Sequence, residues 1–314
     1  MNKKTVYERI IPGILLAIFL LGSLIPLSIF SAQYYVSRVF SFVFIAIITA
    51  ILVYEFFKSQ RIKWYWVVTL SLIGLSLAFI PVQEITLRWL NPATAQALFK
   101  PELLVEYTRI IALDPFTIIV CLVLSVCLLL IDSFTRVYSH FSQVIIRALI
   151  AFVTLYLLAI FSKVFHLFIV ISGQWKYWFS ISLIAAVTDT FSFIFGVSFG
   201  RKFIKKPFTP TISPNKSWEG FIGGVISGVI ATFILVYSLD LFENNYLKII
   251  FAILAPLFAV VGDLYFSFIK RSNGIKDYSK ILRGHGGILD RLDSICFITV
   301  LSFVLILFTN VKLA

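Results

Sequence analysis

Residues 262–293 combine basic, acidic and glycine side chains between two long apolar runs. Basic side chains suit phosphate groups, paired carboxylates suit a divalent cation, and glycines let backbone N–H groups approach an anion. The residues that carry this chemistry are Asp263, Ser267, Lys270, Arg271, Lys276, Asp277, His285, Gly286, Gly287, Asp290, Arg291 and Asp293. The combination predicts an enzyme that handles phosphates and a metal ion at a membrane surface.

Helical spacing groups these residues further. Asp263, Ser267 and Lys270 fall at i, i+4 and i+7 and share one helix face, and Asp290 and Asp293 share a face at the start of the next helix. The loop between them is long enough to bring the two helix ends together. Carboxylates from both ends could then hold Mg²⁺, which binds a few carboxylates together with substrate phosphate oxygens. We therefore predict Asp263 and Asp290 as the metal ligands.

A second polar group lies upstream. Asp189 sits inside an apolar run, where a carboxylate costs about 2.5–3.5 kcal/mol on insertion scales, so it should face a polar cavity or a partner. Lys216 lies just before a predicted helix N-terminus, where its charge and the helix dipole would act together on a phosphate. Ser213 or Ser217 could cap that helix, with Glu219 in its first turn.

Simpler roles stay open for several of these residues. Asp189 could be a single interhelical hydrogen-bonding acid, Asp277 could pair with a lysine, and Asp293 could be a favourable helix-start charge. His285 has no second histidine or cysteine nearby, so a zinc site is disfavoured. It could bind phosphate when protonated or act as a structural hydrogen bonder. The chain has no GxxxxGK[ST] loop, which argues against a P-loop enzyme.

The elements that must position these residues are membrane helices. The 314-residue chain is 60% hydrophobic and 13% charged, with a mean hydropathy of +0.99. A soluble fold around one core is excluded, because such chains are about 45–50% apolar and about 25% charged. The net charge of +12 indicates cytoplasmic loops that face anionic lipid and substrates rather than nucleic acid.

The apolar runs predict an all-α polytopic membrane protein with about nine transmembrane helices. Their approximate ranges are 12–31, 39–57, 65–81, 115–131, 148–162, 177–199, 220–239, 249–268 and 293–311. The stretch from 148 to 176 allows either a longer fifth helix or a re-entrant piece. Most of the 27 lysines and arginines fall in alternate segments, which predicts a cytoplasmic N-terminus and an outside C-terminus. Chemistry is sparse in residues 1–140, a predicted N-terminal transmembrane region, whereas 141–314 form the predicted catalytic transmembrane region.

The same residues resemble the signature of the phosphatidate cytidylyltransferases, also called CDP-diacylglycerol synthases. The C-terminal part of that signature matches at Ser267, Lys270, Arg271, Lys276, Asp277, Ser279, Gly284, His285, Gly286, Gly287, Asp290, Arg291 and Asp293. Upstream, Asp189 and the SPNKSWEG stretch also match, through Ser213, Pro214, Lys216, Ser217, Trp218, Glu219 and Gly220. Two positions depart from the signature: Arg283 stands where proline is usual, and Asn215 where lysine is usual.

The resemblance implies the reaction CTP + phosphatidate → CDP-diacylglycerol + pyrophosphate, in phospholipid biosynthesis. It implies Mg²⁺ as cofactor, a possible K⁺ beside it, and an active site that faces the cytoplasm from the inner membrane. CTP, phosphatidate and membrane lipids are the expected partners, with a possible homodimer and no nucleic acid. Lys270, Arg271, Lys276, Arg291 and Lys216 would neutralise the phosphates.

Two other functions are compatible with parts of the sequence. A transporter or channel could use Asp189 and Asp263 as intramembrane ion ligands. That function would not explain why charges and glycines concentrate in one predicted inside loop. A CTP-dependent lipid-alcohol kinase from a related membrane family would release CDP instead of pyrophosphate, so the released product separates the two enzymes.

Overall fold

The computed structural model describes residues 11–94, 96–135, 141–279 and 286–309, and 79% of the protein is helical. The helices are α1 (Ile11–Phe30), α2 (Tyr35–Ser59), α3 (Trp64–Gly74), α4 (Leu104–Leu113), α5 (Pro115–Thr135), α6 (Phe141–Val170), α7 (Trp175–Phe199), α8 (Trp218–Ser238), α9 (Asn245–Ser272) and α10 (Leu289–Leu307). Short 3-10 and π turns connect α3 to α4. The predicted all-α class is confirmed.

Six helices in the described part of the chain are long and apolar enough to cross a membrane: α2 and α5 to α9. The described side chains of α1 begin at Leu21, and α3 with its following turn spans only Trp64–Ala78. Helix α10 carries three charged residues in its first five positions, Asp290, Arg291 and Asp293. These features identify an integral membrane protein, whereas the predicted number of nine spans stays a prediction.

One segment that the sequence left open has a definite structure, and one loop contains two strands that the sequence did not predict. Helix α6 continues to Val170, so the region after residue 162 extends the fifth predicted helix rather than forming a re-entrant piece. The proline-rich loop after α7 contains an antiparallel hairpin of β1 (Pro207–Thr209) and β2 (Ser213–Ser217). Phe208 of this hairpin stacks on Phe221 of α8, with ring centroids 4.4 Å apart, which fixes the hairpin to that helix.

The chain divides into two compact units. The first contains Met1–Gly173 and Tyr278–Leu289. Its apolar helices enclose buried polar contacts, among them an ion pair of 2.8 Å between Asp132 on α5 and Arg147 on α6. Because an unpaired charge is costly away from water, such pairing is expected of acids inside a membrane protein. The predicted functional division between residues 1–140 and 141–314 is a separate matter and stays a prediction.

The second unit contains Gln174–Asp277 and Asp290–Ala314. Small residues set the distance between its helices. A Cβ on Gly224 of α8 would lie 2.8 Å from the carbonyl oxygen of Thr188 on α7, and one on Gly228 would lie 2.7 Å from Pro256 on α9. Glycines of this kind let membrane helices pack backbone to backbone, so α8 is held closely between α7 and α9.

We expect Gly224→Ala to destabilise the protein by about 1–3 kcal/mol, as overpacking of a close contact usually does. An alanine in a free helix position would instead stabilise by roughly 0.5–1 kcal/mol. Gly22→Ala in α1 is the matched control, because within the described part of the chain its added Cβ would meet no neighbouring helix or side chain within 4 Å. Thermal unfolding in detergent measures both. Equal melting temperatures for the two variants would contradict the close packing.

Candidate active site

The second unit contains a cavity of about 450 Å³ formed by α7, α8, α9 and the β-hairpin. Its lining residues are Asp189, Ser192, Phe193, Gly196, Val197, Phe208, Asn215, Lys216, Ser217, Gly220, Phe221, Val260 and Asp263. The cavity is therefore lined both by charged groups from three segments and by aromatic and aliphatic side chains. A cavity of this composition can take a molecule with one charged and one apolar part.

Asp263 is the central acid of this cavity. Lys216 Nζ forms an ion pair with its Oδ2, and Ser267 Oγ donates to its Oδ1 over 3.3 Å. The predicted shared face of Asp263 and Ser267 is thus confirmed. The side chains of Lys216 and Asp263 are 32% and 29% exposed, so this ion pair is accessible from the cavity. A phosphate group or a cation could exchange for either partner.

Asp189 on α7 lines the same cavity. It interacts electrostatically with Asp263, Lys216 and Arg291. Its exposed surface agrees with the prediction that an acid at this depth faces a polar cavity. Two acids and two bases from α7, β2, α9 and α10 therefore influence one another here.

Asp290 and Asp293 lie in the first turns of α10. Lys270 Nζ donates to Asp290 Oδ1 over 2.6 Å, and the two side chains are only 10% and 7% exposed. Asp293 is buried and interacts electrostatically with Asp263, Asp189 and Lys270. The sequence analysis included Asp293 in the charged cluster but did not predict it as a metal ligand, and the structure buries it in the first turns of α10.

Gly262 is a sequence signal for the close contact between α9 and the part of α10 that contains Asp293. A Cβ at this glycine would lie 2.6 Å from the carbonyl oxygen of Asp293. Helices α9 and α10 therefore come into close contact one residue before Asp263. A glycine directly before an acid in an apolar helix indicates such an approach, but it does not identify the partner residue.

Two side chains of the SPNKSWEG stretch form hydrogen bonds with backbone N–H groups. Ser217 is the N-cap of α8, and its Oγ accepts from Gly220 N at 3.1 Å. Glu219 accepts the backbone N–H groups of Arg201, Phe203 and Ile204 at 3.1, 2.9 and 2.9 Å. The structure thus gives Glu219 a role in holding the loop after α7. Contact of Glu219 with a substrate stays a prediction.

Other predicted site residues lie at the edge of this unit. Ser213 belongs to β2, and its carbonyl oxygen accepts from Thr209 Oγ1 at 3.4 Å. Arg271 donates to the carbonyl oxygens of Ile212 and Ile275 at 3.3 and 3.1 Å, which ties the end of α9 to the hairpin. Lys276, Asp277 and Arg291 are exposed. The structure does not place Ser213, Arg271, Lys276, Asp277 or Arg291 among the cavity-lining residues.

Gly286 and Gly287 of the GHGG motif belong to the first unit, whereas Gly284 and His285 lie outside the described residues. Gly286 has φ +78°, a left-handed conformation that favours glycine. A Cβ on Gly287 would lie 2.6 Å from the carboxylate oxygens of Glu55. Both glycines therefore have a conformational reason for being glycine, and their predicted binding of an anion stays a prediction.

The donor set can be compared with the needs of Mg²⁺. Within the described residues, no three His, Cys, Asp or Glu side chains are arranged to hold a metal ion by themselves. Mg²⁺ commonly takes one or two protein carboxylates and completes its six positions with water and substrate phosphates. The acids around Asp263 fit that smaller requirement, so a metal held jointly by protein and nucleotide agrees with this site.

Comparison with known proteins adds an independent observation. A family model described as the cytidylyltransferase family matches residues 17–309. The phosphatidate cytidylyltransferase of Staphylococcus haemolyticus (strain JCSC1435) is 39% identical over 125 residues, which are 40% of this chain and 46% of that protein. The protein of the same name from Staphylococcus epidermidis (strain ATCC 12228 / FDA PCI 1200) is 40% identical over 127 residues, 40% of this chain and 47% of its own.

These matches span about half the length of the curated relatives. The family match is much longer, because it runs from α1 to the end of the described C-terminal segment. It includes every acid and base of the cavity described above. The chain therefore belongs to the cytidylyltransferase family.

Proposed function

We propose that this protein transfers CMP from CTP to phosphatidate, giving CDP-diacylglycerol and pyrophosphate in phospholipid biosynthesis. The observation that carries the proposal is the Lys216–Asp263 ion pair at a cavity with an apolar wall, among helices long enough to cross a membrane. The family membership and the names of the similar staphylococcal proteins point to the same reaction.

The cavity matches the two halves of a phospholipid. Phe193 and Val197 are each 71% exposed and line the cavity together with Phe208 and Phe221, so they offer apolar surface to acyl chains. Lys216 offers a positive charge to the headgroup phosphate. In this arrangement the chains would enter from the lipid side, and the headgroup would meet the nucleotide beside Asp263.

The transfer needs no protein nucleophile. A phosphate oxygen of phosphatidate attacks the α-phosphorus of CTP, a new P–O–P linkage forms, and the bond to the β-phosphate breaks to release pyrophosphate. Catalysis then comes from positioning the two phosphates and neutralising their charge. Lys216 and Lys270 are the cations closest to the acids, and Arg271, Lys276 and Arg291 would act at the rim.

The cofactor proposal follows from the same groups. Asp263 and Asp290 would hold Mg²⁺ together with phosphate oxygens. When bound, the ion supplies the charge that stabilises the leaving pyrophosphate. In the structure, Lys216 pairs with Asp263 and Lys270 pairs with Asp290. With a cation bound to these two acids, each lysine would be available to bind a substrate phosphate. A K⁺ ion beside Mg²⁺ is part of the proposal.

The membrane arrangement is also proposed. Nine spans would place the N-terminus in the cytoplasm and the C-terminus outside, with the active site at the cytoplasmic face of the inner membrane and a homodimer as a possible assembly. The six long apolar helices support part of this count. Reporter fusions after α5, α7 and α9 test the orientation, and a reporter active outside after α9 would contradict it.

The deciding experiment uses purified protein, phosphatidate and labelled CTP, with and without Mg²⁺, and identifies both products. CDP-lipid with pyrophosphate, formed only with Mg²⁺, is the expected result. Release of CDP with a phosphorylated lipid alcohol would instead indicate the kinase. Ion-coupled uptake into liposomes without any need for CTP would indicate the transporter.

Lys216→Ala should mainly raise the KM for a phosphate substrate, by roughly 10-fold, the equivalent of a loss of about 1.4 kcal/mol. The reason is that its ammonium group faces the cavity and can exchange Asp263 for phosphate. Lys205→Ala is the matched control, because Lys205 is an exposed lysine that also lies between α7 and α8. Steady-state kinetics with varied CTP and varied phosphatidate measures both. An unchanged KM for both substrates would contradict binding of a substrate phosphate by Lys216.

A further inference from the structure

Glu55 is a fully buried carboxylate near the end of α2, with 0% of its surface exposed. A charge in such a position is retained only when donors satisfy it. The donors come from residues 278–289 of the same unit. Ser279 Oγ donates to Oε1 at 2.6 Å, and the backbone N–H groups of Ile288 and Leu289 donate to Oε1 and Oε2 at 3.2 and 2.7 Å. Both carboxylate oxygens are thus used to bind this segment.

The neighbouring glycine makes this binding sterically possible. A Cβ on Gly287 would lie 2.6 Å from each carboxylate oxygen of Glu55 and 2.7 Å from its carboxyl carbon. Any larger residue would push the backbone away and lengthen the hydrogen bonds of Ile288 and Leu289. Gly286, with φ +78°, turns the chain immediately before this contact. The two glycines and Glu55 therefore form one arrangement.

The contacts of Glu55 lie directly before α10, the helix that carries Asp290. Ser279 and Ile288 are separated by eight residues, and Glu55 binds the chain on both sides of that stretch. Leu289 is the first residue of α10, and the next residue is Asp290. Glu55 is 234 positions away from Leu289, so a helix of the N-terminal half binds the backbone directly before Asp290.

We propose that Glu55 is a positioning residue for the transfer reaction, because its carboxylate holds Ser279, Ile288 and Leu289 and thereby sets the place of Asp290. The role in catalysis rests on the proposed function, whereas the contact itself does not. A displacement of about 1 Å in a reacting group can cost on the order of 100-fold in rate, and loss of Glu55 would release the three hydrogen bonds that hold the backbone beside Asp290.

Two substitutions test the contact, with one matched control. Glu55→Gln keeps the shape, but its amide group presents a donor to the donors of the segment, and Glu55→Asp keeps the charge on a shorter side chain. Asp132→Asn is the control. It removes the charge of another buried acid of the same unit, whose partner is Arg147 on α6.

The first readout is hydrogen exchange of the Ile288 and Leu289 amides, followed by mass spectrometry of the detergent-solubilised protein. In Glu55→Gln these amides should exchange at least about 10-fold faster than in the wild type, equivalent to about 1.4 kcal/mol of lost protection. In Asp132→Asn they should exchange as in the wild type. Unchanged exchange in Glu55→Gln would overturn the proposal at its first step.

The second readout is the kinetics of CDP-lipid formation. Glu55→Gln should lower kcat by about 100-fold with a smaller change in the KM for CTP, and Glu55→Asp should recover part of kcat. Asp132→Asn should retain kcat at equal amounts of folded protein. If Glu55→Gln lost its amide protection but kept the kcat of the control, the contact would be structural only and the positioning role would be wrong. In that case wild-type activity would still support the proposed function.

A coupled pair of variants gives a further test. Gly287→Ala should impair the wild type strongly, because its methyl group meets the Glu55 carboxylate. In a Glu55→Ala background the same change should cost less, because that carboxylate is gone, so the two effects should combine to less than their product. Full multiplication of the two effects would contradict a direct contact. If Glu55→Gln does not accumulate, Ser279→Ala replaces it, with a smaller effect expected from the loss of the 2.6 Å bond alone.

If the wild-type protein forms no CDP-lipid, the proposed function is wrong, and so is the positioning role in that reaction. The exchange data would then still report whether Glu55 binds the segment. The two failures are therefore distinguishable.

Discussion

Asp263→Asn is expected to lower the turnover of CTP and phosphatidate by on the order of 10³-fold, the size of loss seen when a single preorganised electrostatic group is removed. Asp263 is the acid that Lys216 and Ser267 both contact, and Asp189 and Asp293 both interact with it electrostatically. Asparagine keeps the shape and can still accept from Ser267. It lacks the charge that would hold Mg²⁺ and balance Lys216.

The measurement is initial-rate CDP-lipid formation at saturating CTP, normalised to folded protein from size-exclusion chromatography. Asp240→Asn is the matched control, because Asp240 also pairs with a lysine of the second unit, Lys248, yet its side chain is 76% exposed and lies between α8 and α9. Its turnover should equal that of the wild type. A comparable loss in both variants would mean that unit stability, not the cavity charge, limits the rate.

Asp290→Asn is expected to abolish measurable turnover while membrane insertion and abundance stay normal. Asp290 is the second predicted metal ligand, and it neutralises Lys270 in an almost buried pair. The neutral side chain would weaken binding of the metal ion, and it would remove the charge that pairs with Lys270 in this almost buried contact. Two effects therefore act at one residue, one on the cofactor and one on the local electrostatics.

A third variant separates these two effects. Lys270→Met combined with Asp290→Asn removes both charges of the pair and should recover any loss of melting temperature without restoring turnover. Raised Mg²⁺ should rescue neither variant fully, because asparagine is a weak ligand for a hard cation. Near-normal incorporation of CTP into lipid by Asp290→Asn would count decisively against Asp290 as a metal ligand.

Much of the architecture could be predicted from hydropathy alone. Each predicted apolar run coincides with a helix, because a run of that length in lipid must satisfy its backbone internally. The helix ends were less accurate, as for α6, which extends from Phe141 to Val170 rather than from 148 to 162. The small β-hairpin was missed, because three prolines indicate only that a loop is non-helical and not that its strands pair.

The candidate site was predictable in composition but not in pairing. Helical spacing correctly predicted the contact between Asp263 and Ser267, because the period of a helix is known in advance. Which base meets which acid depends on how separate helices pack. The structure pairs Lys216 with Asp263 and Lys270 with Asp290, and sequence spacing contains no information on contacts between residues 47 and 20 positions apart.

Composition and helical period are local properties, and they were enough to predict a helical membrane protein whose acids, bases and glycines cluster in its C-terminal half. Three contacts follow only from how the chain packs: Asp293 lies against Gly262, Glu219 binds the loop after α7, and Glu55 binds Ser279 and Leu289. The reason is that a buried acid is placed by the donors that fold around it. Such donors can lie more than two hundred residues away, where no sequence pattern connects them.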